Sequence, residues 1–322
     1  MGDGMDQDRL EVCVTHVDRL ADRVIGFTLV AQDGKDLPAF SAGAHVDVHL
    51  GSGLVRQYSI SNDPGERGRY ILAVQIEPEG RGGSQLIDRT VRPGSRLEIS
   101  RPRNTFPLRP EAESNLFIAG GIGITPIRSM IHESERLGQP WSLIYGARGP
   151  AQMAFRCEFA RRWPERCTFH FSGEGNQDLI PFDRLLARQQ PGQHLYCCGP
   201  EAMLQAVRQA TVHWRADTVH FERFAPIKVS TADDQPFEIE LAHSGEVYTV
   251  PPTRSVLEVL RQAGHDVESS CEEGTCGSCA VRVVDGCPDH RDSLGLDDPE
   301  FRQSFMMICV SRAKGARLVI DI

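Results

Sequence analysis

Four cysteines set the tightest limit on what this chain can become. Cys271, Cys276 and Cys279 stand in the spacing Cys-x4-Cys-x2-Cys, with Gly274, Gly277 and Ser278 threaded between them, and Cys309 follows far downstream. This is the spacing of a plant-type [2Fe-2S] site. Two irons bridged by two sulfides need four thiolates on a small, strongly curved surface, so three of them come from one tight loop. Glycines let that loop curl and aim backbone N–H groups at the sulfurs. The alternatives are a structural zinc site or unrelated buried thiols. Structural zinc usually draws short-spaced ligand pairs from both sides, whereas Cys309 stands alone inside the apolar run 305–310.

A chain of 322 residues has room for two or three domains with full cores. Its 40% apolar and 25% charged content is that of an ordinary soluble protein. Residues 1–11 are acidic and lack a basic stretch followed by an apolar core, so no signal peptide is expected, and no apolar run is long enough to span a membrane. The six cysteines outside the cluster set, Cys13, Cys157, Cys167, Cys197, Cys198 and Cys287, follow no disulfide-scaffold spacing, which points to the reducing cytoplasm. Charge is unevenly placed. Residues 231–322 hold 17 Asp plus Glu against 8 Arg plus Lys, a net of −9, and leave 27 against 27 in the first 230. That excess is either a solvated face or the face of an electron-transfer module that docks on a basic partner. Nucleic-acid binding is not expected.

Short alternating runs at 10–17, 24–30, 45–50, 55–60, 70–76 and 96–100, punctuated by Gly51-Ser52-Gly53, Asp63-Pro64-Gly65 and Arg92-Pro93-Gly94, predict a small antiparallel barrel interrupted by one helix beginning near Gly83-Ser84. From residue 114 the texture changes. Strands at 116–119, 142–145, 167–171 and 194–198 alternate with helical stretches at 124–137, 155–162, 182–188 and 201–210, the pattern of a parallel sheet with helices on both faces. Residues 225–235 are polar and unpatterned, as in a linker. Beyond them, strands at 237–241, 247–250 and 317–320 and a helix at 255–263 predict a small α+β domain around the cysteine loop. The boundaries expected are 8–110 for the barrel, 111–224 for the α/β domain, 225–235 for the linker and 236–322 for the cluster domain.

Two further regions carry chemistry. Arg56-Gln57-Tyr58-Ser59 closes a barrel strand, and Gly80-Arg81-Gly82-Gly83-Ser84 opens the inserted helix. A helix start whose glycines expose N–H groups, with Ser84, Arg56 and Arg81 beside it, suits a phosphate. Each motif alone reads equally as a turn. Together in a barrel of this size they point to a flavin phosphate, with Tyr58 along the isoalloxazine and Ser59 near its N5. Gly120-Gly121-Ile122-Gly123-Ile124-Thr125-Pro126 joins a strand to a helix, and Cys198-Gly199-Pro200-Glu201 ends another strand. The first is not the Gly-x-Gly-x-x-Gly fingerprint, because Pro126 stands where the third glycine belongs. Two glycine turns at carboxyl ends of parallel strands are nonetheless where a nucleotide binds in such sheets.

The order of barrel with Arg-x-Tyr-Ser, sheet with Gly-Gly-Ile-Gly-Ile-Thr-Pro and Cys-Gly-Pro, then Cys-x4-Cys-x2-Cys resembles the phthalate dioxygenase reductase family over roughly residues 8–322. These are FMN- and plant-type-ferredoxin-containing reductases of Rieske oxygenases, and vanillate demethylase and carnitine monooxygenase reductases are similar. The resemblance implies three domains: an FMN barrel, an NAD-binding α/β domain and a carboxyl-terminal [2Fe-2S] ferredoxin domain. It implies electrons passing from NADH to FMN, to the cluster and on to a separate terminal oxygenase. Arg56, Tyr58, Ser59, Arg81, Gly82, Gly83 and Ser84 match the family's flavin site, and Gly121, Thr125, Cys198 and Gly199 its nicotinamide site. Phe224 matches the aromatic that covers the flavin ring, and its alternative is an unstacked side chain at a domain seam. Ser59, Thr125, Cys198 and Phe224 are thus the residues expected at the reacting centre. Asp289-His290-Arg291-Asp292 also resembles the family and is expected to shape the loop near the cluster. One departure bears on the coenzyme: Ser172, with Glu174 two positions on, stands where the type member has an acidic residue for the adenosine ribose. The rival readings are the same redox chain serving a cytochrome P450, or an iron–sulfur redox sensor with a vestigial flavin site.

Overall fold

The computed structural model describes residues 9–51, 54–173, 179–227, 229–294 and 299–322, so Ser52, Gly53 and Glu174 lie outside the described residues. The chain divides into two compact units, Met1–Glu222 and Arg223–Ile322.

In the first unit, β1 (Arg9–Ala21), β2 (Val24–Ala31), β3 (His45–His49), β4 (Val55–Ser59), β5 (Tyr70–Gln75) and β6 (Arg96–Ser100) form a sheet in the order β4-β3-β6-β1-β2-β5. Every pairing is antiparallel. A bridge between Ile60 and Leu72 joins the two edge strands and curls the sheet toward closure. Alternation sorts the side chains: Val12, Val14, Val46 and Val48 are sealed inside. Helix α1 (Gly83–Thr90) is inserted between β5 and β6.

Strands β7 (Ser114–Gly120), β8 (Trp141–Ala147), β9 (Cys167–Phe171), β10 (Gln193–Cys198) and β11 (Val219–Glu222) run parallel in the order β11-β10-β7-β8-β9. Successive residues of β7 face opposite sides. Phe117 and Ala119 enter a core with α2 (Ile124–Leu137) and α3 (Arg156–Arg162). Leu116 and Ile118 enter another with α4 (Phe182–Leu185) and α5 (Glu201–Ala210). Both faces being covered explains why β7 reads as a continuous apolar run. The first of these cores also takes in Val24, Ala42, Ala73 and Phe106 of the barrel, so barrel and sheet share one apolar seam. Helix α4 is shorter than the expected 182–188. Beyond Leu186 the chain turns to place Gln189, whose amide bonds Gln193 O at 3.0 Å and Thr218 Oγ1 at 2.7 Å.

In the second unit, β12 (Phe237–Leu241) and β13 (Val247–Val250) lead into α6 (Val256–Gln262), which opens on a capping box between Ser255 and Glu258. Strand β14 (Ala280–Asp285), the short β15 (Pro288–Asp289), α7 (Pro299–Ser304), β16 (Phe305–Met307), the short β17 (Arg312–Ala313) and β18 (Arg317–Ile320) complete it. The main sheet runs β13-β12-β18-β14-β16. Its core gathers Met306, Met307 and Ile308 together with Cys279 and Cys309. Asp234 and Gln235, within the segment read as linker, are tied to this unit. Arg291 grips the Asp234 carboxylate with two bonds of 2.6 and 2.8 Å, and Arg312 Nη2 donates to Gln235 O at 3.1 Å.

Candidate functional site

Three sites can be built from these elements, two in the first unit and one in the second. Strand β4 pairs with β3 so that Tyr58 faces Val46 and Ser59 faces His45. Tyr58 packs against the barrel core, and burial pushes its phenol well above the usual range, so it stays neutral. Ser59 is buried. Gly82 caps α1 in the left-handed region at φ 85°, a conformation suited to glycine. Arg56 lies against the start of α1: a Cβ on Gly83 would fall 2.7 Å from Arg56 Cγ. The guanidinium of Arg56 donates to Arg81 O at 3.3 Å and to Val55 O at 2.8 Å, and Ser84 Oγ accepts the Glu77 N–H at 3.0 Å. Arg56, Arg81 and Ser84 thus gather around the first turn of α1, where N–H groups and a guanidinium fit a phosphate group.

The second site lies at the carboxyl ends of β7 and β10. Gly120 leads into a 3-10 turn over Gly121–Gly123 that runs into α2. The two glycine turns interlock backbone on backbone. A Cβ on Gly123 would lie 2.1 Å from Cys198 O, and one on Gly199 would meet Gly120 Cα at 3.0 Å. Tyr145 Oη donates to Gly121 O at 3.0 Å, and Thr125 Oγ1 donates to Ile122 O at 2.9 Å. Thr125 and Cys198 are both buried, which makes them part of the turn's foundation.

Glu222, which sequence reasoning missed, ends β11 directly across from Cys198. The residue as a whole is partly exposed, but its Oε2 is enclosed without a hydrogen-bond partner. Burial pushes the carboxyl up to about 8 even though the neighbouring Cys198 thiol works to lower it. Burial first, and then the Glu222 carboxyl, raises that thiol in turn. An uncharged acid and thiol therefore sit side by side. The available signal was an acidic residue closing the apolar strand Val219-His220-Phe221-Glu222.

The third site is the cysteine loop. Cys279 Sγ and Cys309 Sγ approach to 3.1 Å, and the Cys271 and Cys276 thiols lie close enough to shift one another. In each pair one thiol is held down by its partner's hydrogen bond while the partner is pushed up. Among the described residues no three metal-ligating side chains converge on one point. Two pairs fit two irons better than they fit one tetrahedral zinc. Backbone curvature makes the loop possible. Glu272, Gly274 and Gly277 take φ values of 55°, 69° and 79°, and a Cβ on Gly274 would meet Val310 Cγ2 at 2.6 Å. The Glu273 N–H points at Cys271 Sγ from 3.4 Å. The 289–292 segment braces this loop: Ser293, next in sequence, donates from N to Gly274 O at 2.9 Å, while the buried Asp292 accepts from Leu294 N at 3.0 Å and from Ser311 Oγ at 3.2 Å.

Phe224 is the second residue of the second unit and is 45% exposed. Ser172 follows β9, its N–H donating to Ala147 O at 3.0 Å.

Residues 239–314 match the 2Fe-2S iron-sulfur cluster binding domain, and residues 117–209 match the oxidoreductase NAD-binding domain. The chain is 42% identical to the carnitine monooxygenase reductase subunit of Escherichia coli (strain K12), covering 98% of this chain and 99% of that one. A solved phthalate dioxygenase reductase, described as a modular structure for electron transfer from pyridine nucleotides to [2Fe-2S], superimposes with a TM-score of 0.73 at 39% identity, covering 98% of both chains. An intact type IV self-sufficient cytochrome P450 monooxygenase superimposes with a TM-score of 0.90 at 36% identity, covering 98% of this chain but 41% of that longer protein. With barrel, sheet and cluster loop in the same order as in a reductase matched from end to end, the chain belongs to the phthalate dioxygenase reductase family.

Proposed function

We propose that this chain is the reductase component of a two-component oxygenase, taking electrons from NADH through FMN to its [2Fe-2S] cluster and delivering them to a terminal Rieske oxygenase. The observation that carries the reading is the two-by-two pairing of the four sulfurs, which provides a one-electron exit in the same chain as a nucleotide site. FMN supplies the conversion between a two-electron hydride and single electrons. The protein contributes placement and electrostatics. Arg56, Arg81, Ser84 and the first N–H groups of α1, with Gly82 and Gly83 keeping its start open, would hold the flavin phosphate. Tyr58 would flank the ring and Ser59 would address its reactive edge, and Phe224 is the aromatic that the family resemblance assigns to covering it. Gly121, Gly123 and Gly199 would let the nicotinamide approach the backbone, and Thr125 and Cys198 would set the floor beneath it. Glu222, kept protonated by burial, offers a hydrogen bond without an anion's charge. No general base is needed, because hydride passes directly from donor to acceptor once the two are aligned.

The ligands of the cluster are Cys271, Cys276, Cys279 and Cys309. Rieske centres lie at about −150 mV or above, so delivery is downhill from any cluster whose potential is below theirs. The thiols outside the cluster loop are free, which fits the reducing cytoplasm. A second acceptor class, a cytochrome P450, is favoured by the likeness to part of a self-sufficient P450. Reconstituted turnover decides between them. Product formation from NADH with a Rieske oxygenase, and none with a P450, is expected; the reverse would move the partner to the P450 class.

A further inference from the structure

Given the hydride path just argued, on which this step rests, we propose that Arg128 is a positioning residue that fixes the flavin strand against the nicotinamide turn. Arg128 lies on α2 one turn beyond Thr125, on the helix that the glycine turn opens. Its Nη1 donates to Ser61 O at 2.7 Å, two residues past Ser59, where the flavin strand leaves the barrel wall. Its Nε and Nη2 grip the Glu158 carboxylate on α3 at 2.9 and 3.0 Å. The guanidinium also lies 4.7 Å over the ring of Phe155, which caps α3 in the left-handed region at φ 58°.

The fork is therefore shared between two elements, one donor on the chain just after β4 and two on α3. The Arg128 and Glu158 side chains are only 12% and 19% exposed, so the pair works at low dielectric. Glu158 also faces His132 Nε2 and Arg162 Nη1, each at 3.5 Å. Burial would raise its carboxyl, but the nearby His132 and the two bonds from Arg128 hold it down to about 2, keeping it an anion at every working pH. The apolar seam already holds barrel and sheet together, but apolar contacts are non-directional. Arg128 adds direction: it ties the backbone carbonyl just after Ser59 to the helix that starts at the nicotinamide turn. A lysine could satisfy one of these acceptors and not all three. Hydride transfer rewards such a tie, since a displacement of about 1 Å at the reacting atoms costs on the order of a hundredfold in rate.

The test uses the holoprotein in anaerobic stopped flow, following flavin reduction over a range of NADH concentrations for wild type, Arg128→Gln, Arg128→Lys and Glu158→Gln. The limiting reduction rate is expected to fall roughly tenfold or more in Arg128→Gln, with the Kd for NADH and the flavin content within about twofold of wild type. Arg128→Lys should recover part of the rate. Glu158→Gln, which keeps the bond to Ser61, gives a second reading if Arg128→Gln does not fold. Its limiting rate should fall severalfold, with the Kd for NADH again within about twofold of wild type. Melting temperatures are measured alongside. Lowered melting with a wild-type limiting rate in Arg128→Gln, or in Glu158→Gln where Arg128→Gln does not fold, would make Arg128 ordinary structural support and overturn the proposal. A wild-type flavin that NADH does not reduce would instead overturn the hydride reading beneath it.

Discussion

In the first unit the dinucleotide turn is held by backbone packed on backbone, with Gly123 facing Cys198 O and Gly199 facing Gly120; in the second, the cluster loop is shaped by positive-φ turns, braced by Ser293 on Gly274 O, and gathers its thiols in two pairs. The nucleotide turns sit on central strands whose neighbours leave no room for a side chain, so their shape is set before any ligand arrives. The cluster loop needs positive φ at Glu272, Gly274 and Gly277, and its four sulfurs lie in two pairs that shift one another. The first arrangement suits a ligand that comes and goes with each turnover. The second suits a group that stays and contributes its own binding energy to the fold around it.

The largest effect should come from removing one thiol. Cys276→Ser is expected to abolish the cluster while NADH still bleaches the flavin at a near wild-type rate. Loss of flavin bleaching in that variant would show that the two sites do not act as separate units. The mirror experiment is Gly123→Ala. A methyl 2.1 Å from Cys198 O must push the two turns apart, so NADH-dependent flavin reduction should fall about a hundredfold or more while the iron content stays intact. A wild-type rate would mean the turns do not contact the coenzyme. Arg56→Ala comes next. A charge-assisted bond to phosphate contributes about 1.5 to 3 kcal/mol, so FMN affinity should weaken roughly ten- to a hundredfold. Full FMN content after extensive dialysis would remove Arg56 from the phosphate site.

A smaller effect is expected from Glu222. Its carboxyl is raised from 4.5 to about 8, so between those values the unfolded chain has lost a proton that the folded chain keeps. The folded state then binds more protons, and this contribution to stability declines as pH rises through that window. Melting curves of wild type should show the decline, with a slope of at most about 1.4 kcal/mol per pH unit, and Glu222→Gln should flatten it. Parallel curves for the two proteins would place Glu222 in ordinary solvent. The smallest effect concerns the acidic second unit. Raising salt from physiological strength, where the Debye length is about 8 Å, toward 1 M, where it is about 3 Å, should slow delivery to the oxygenase a fewfold and leave flavin reduction by NADH unchanged. Delivery that stays flat or quickens would make the acidic face plain solvated surface.

The fold class was legible because its signals are local. Alternation at 10–17 and 24–30, the apolar run of β7 and the glycine turns each depend on residues adjacent in sequence. So does Cys-x4-Cys-x2-Cys, since three ligands from one loop leave their spacing in the chain. Glu222, Asp234 and Arg128 were not legible, for one physical reason. Each gains its meaning from a partner brought close only by folding: Cys198 across two parallel strands, Arg291 from beyond the cysteine loop, and Ser61 and Glu158 from two other elements. A charged residue at the edge of a polar segment looks the same in sequence whether it is solvated or pinned. Strand β14 went unread for a different reason: Val281 and Val283 are its buried positions, while Arg282 and Val284 face outward, a signal too short to stand out beside the cysteines.

The defining event proposed for this chain is the turning of the hydride of NADH into single electrons held on iron. An anaerobic titration of the holoprotein with NADH, followed by visible absorbance and by electron paramagnetic resonance, tests it most directly. NADH alone is expected to bleach the flavin and bring up the signal of a reduced [2Fe-2S] cluster, with about three electrons taken up per chain, two by the flavin and one by the cluster. A flavin that bleaches while the cluster stays silent until dithionite is added would contradict it.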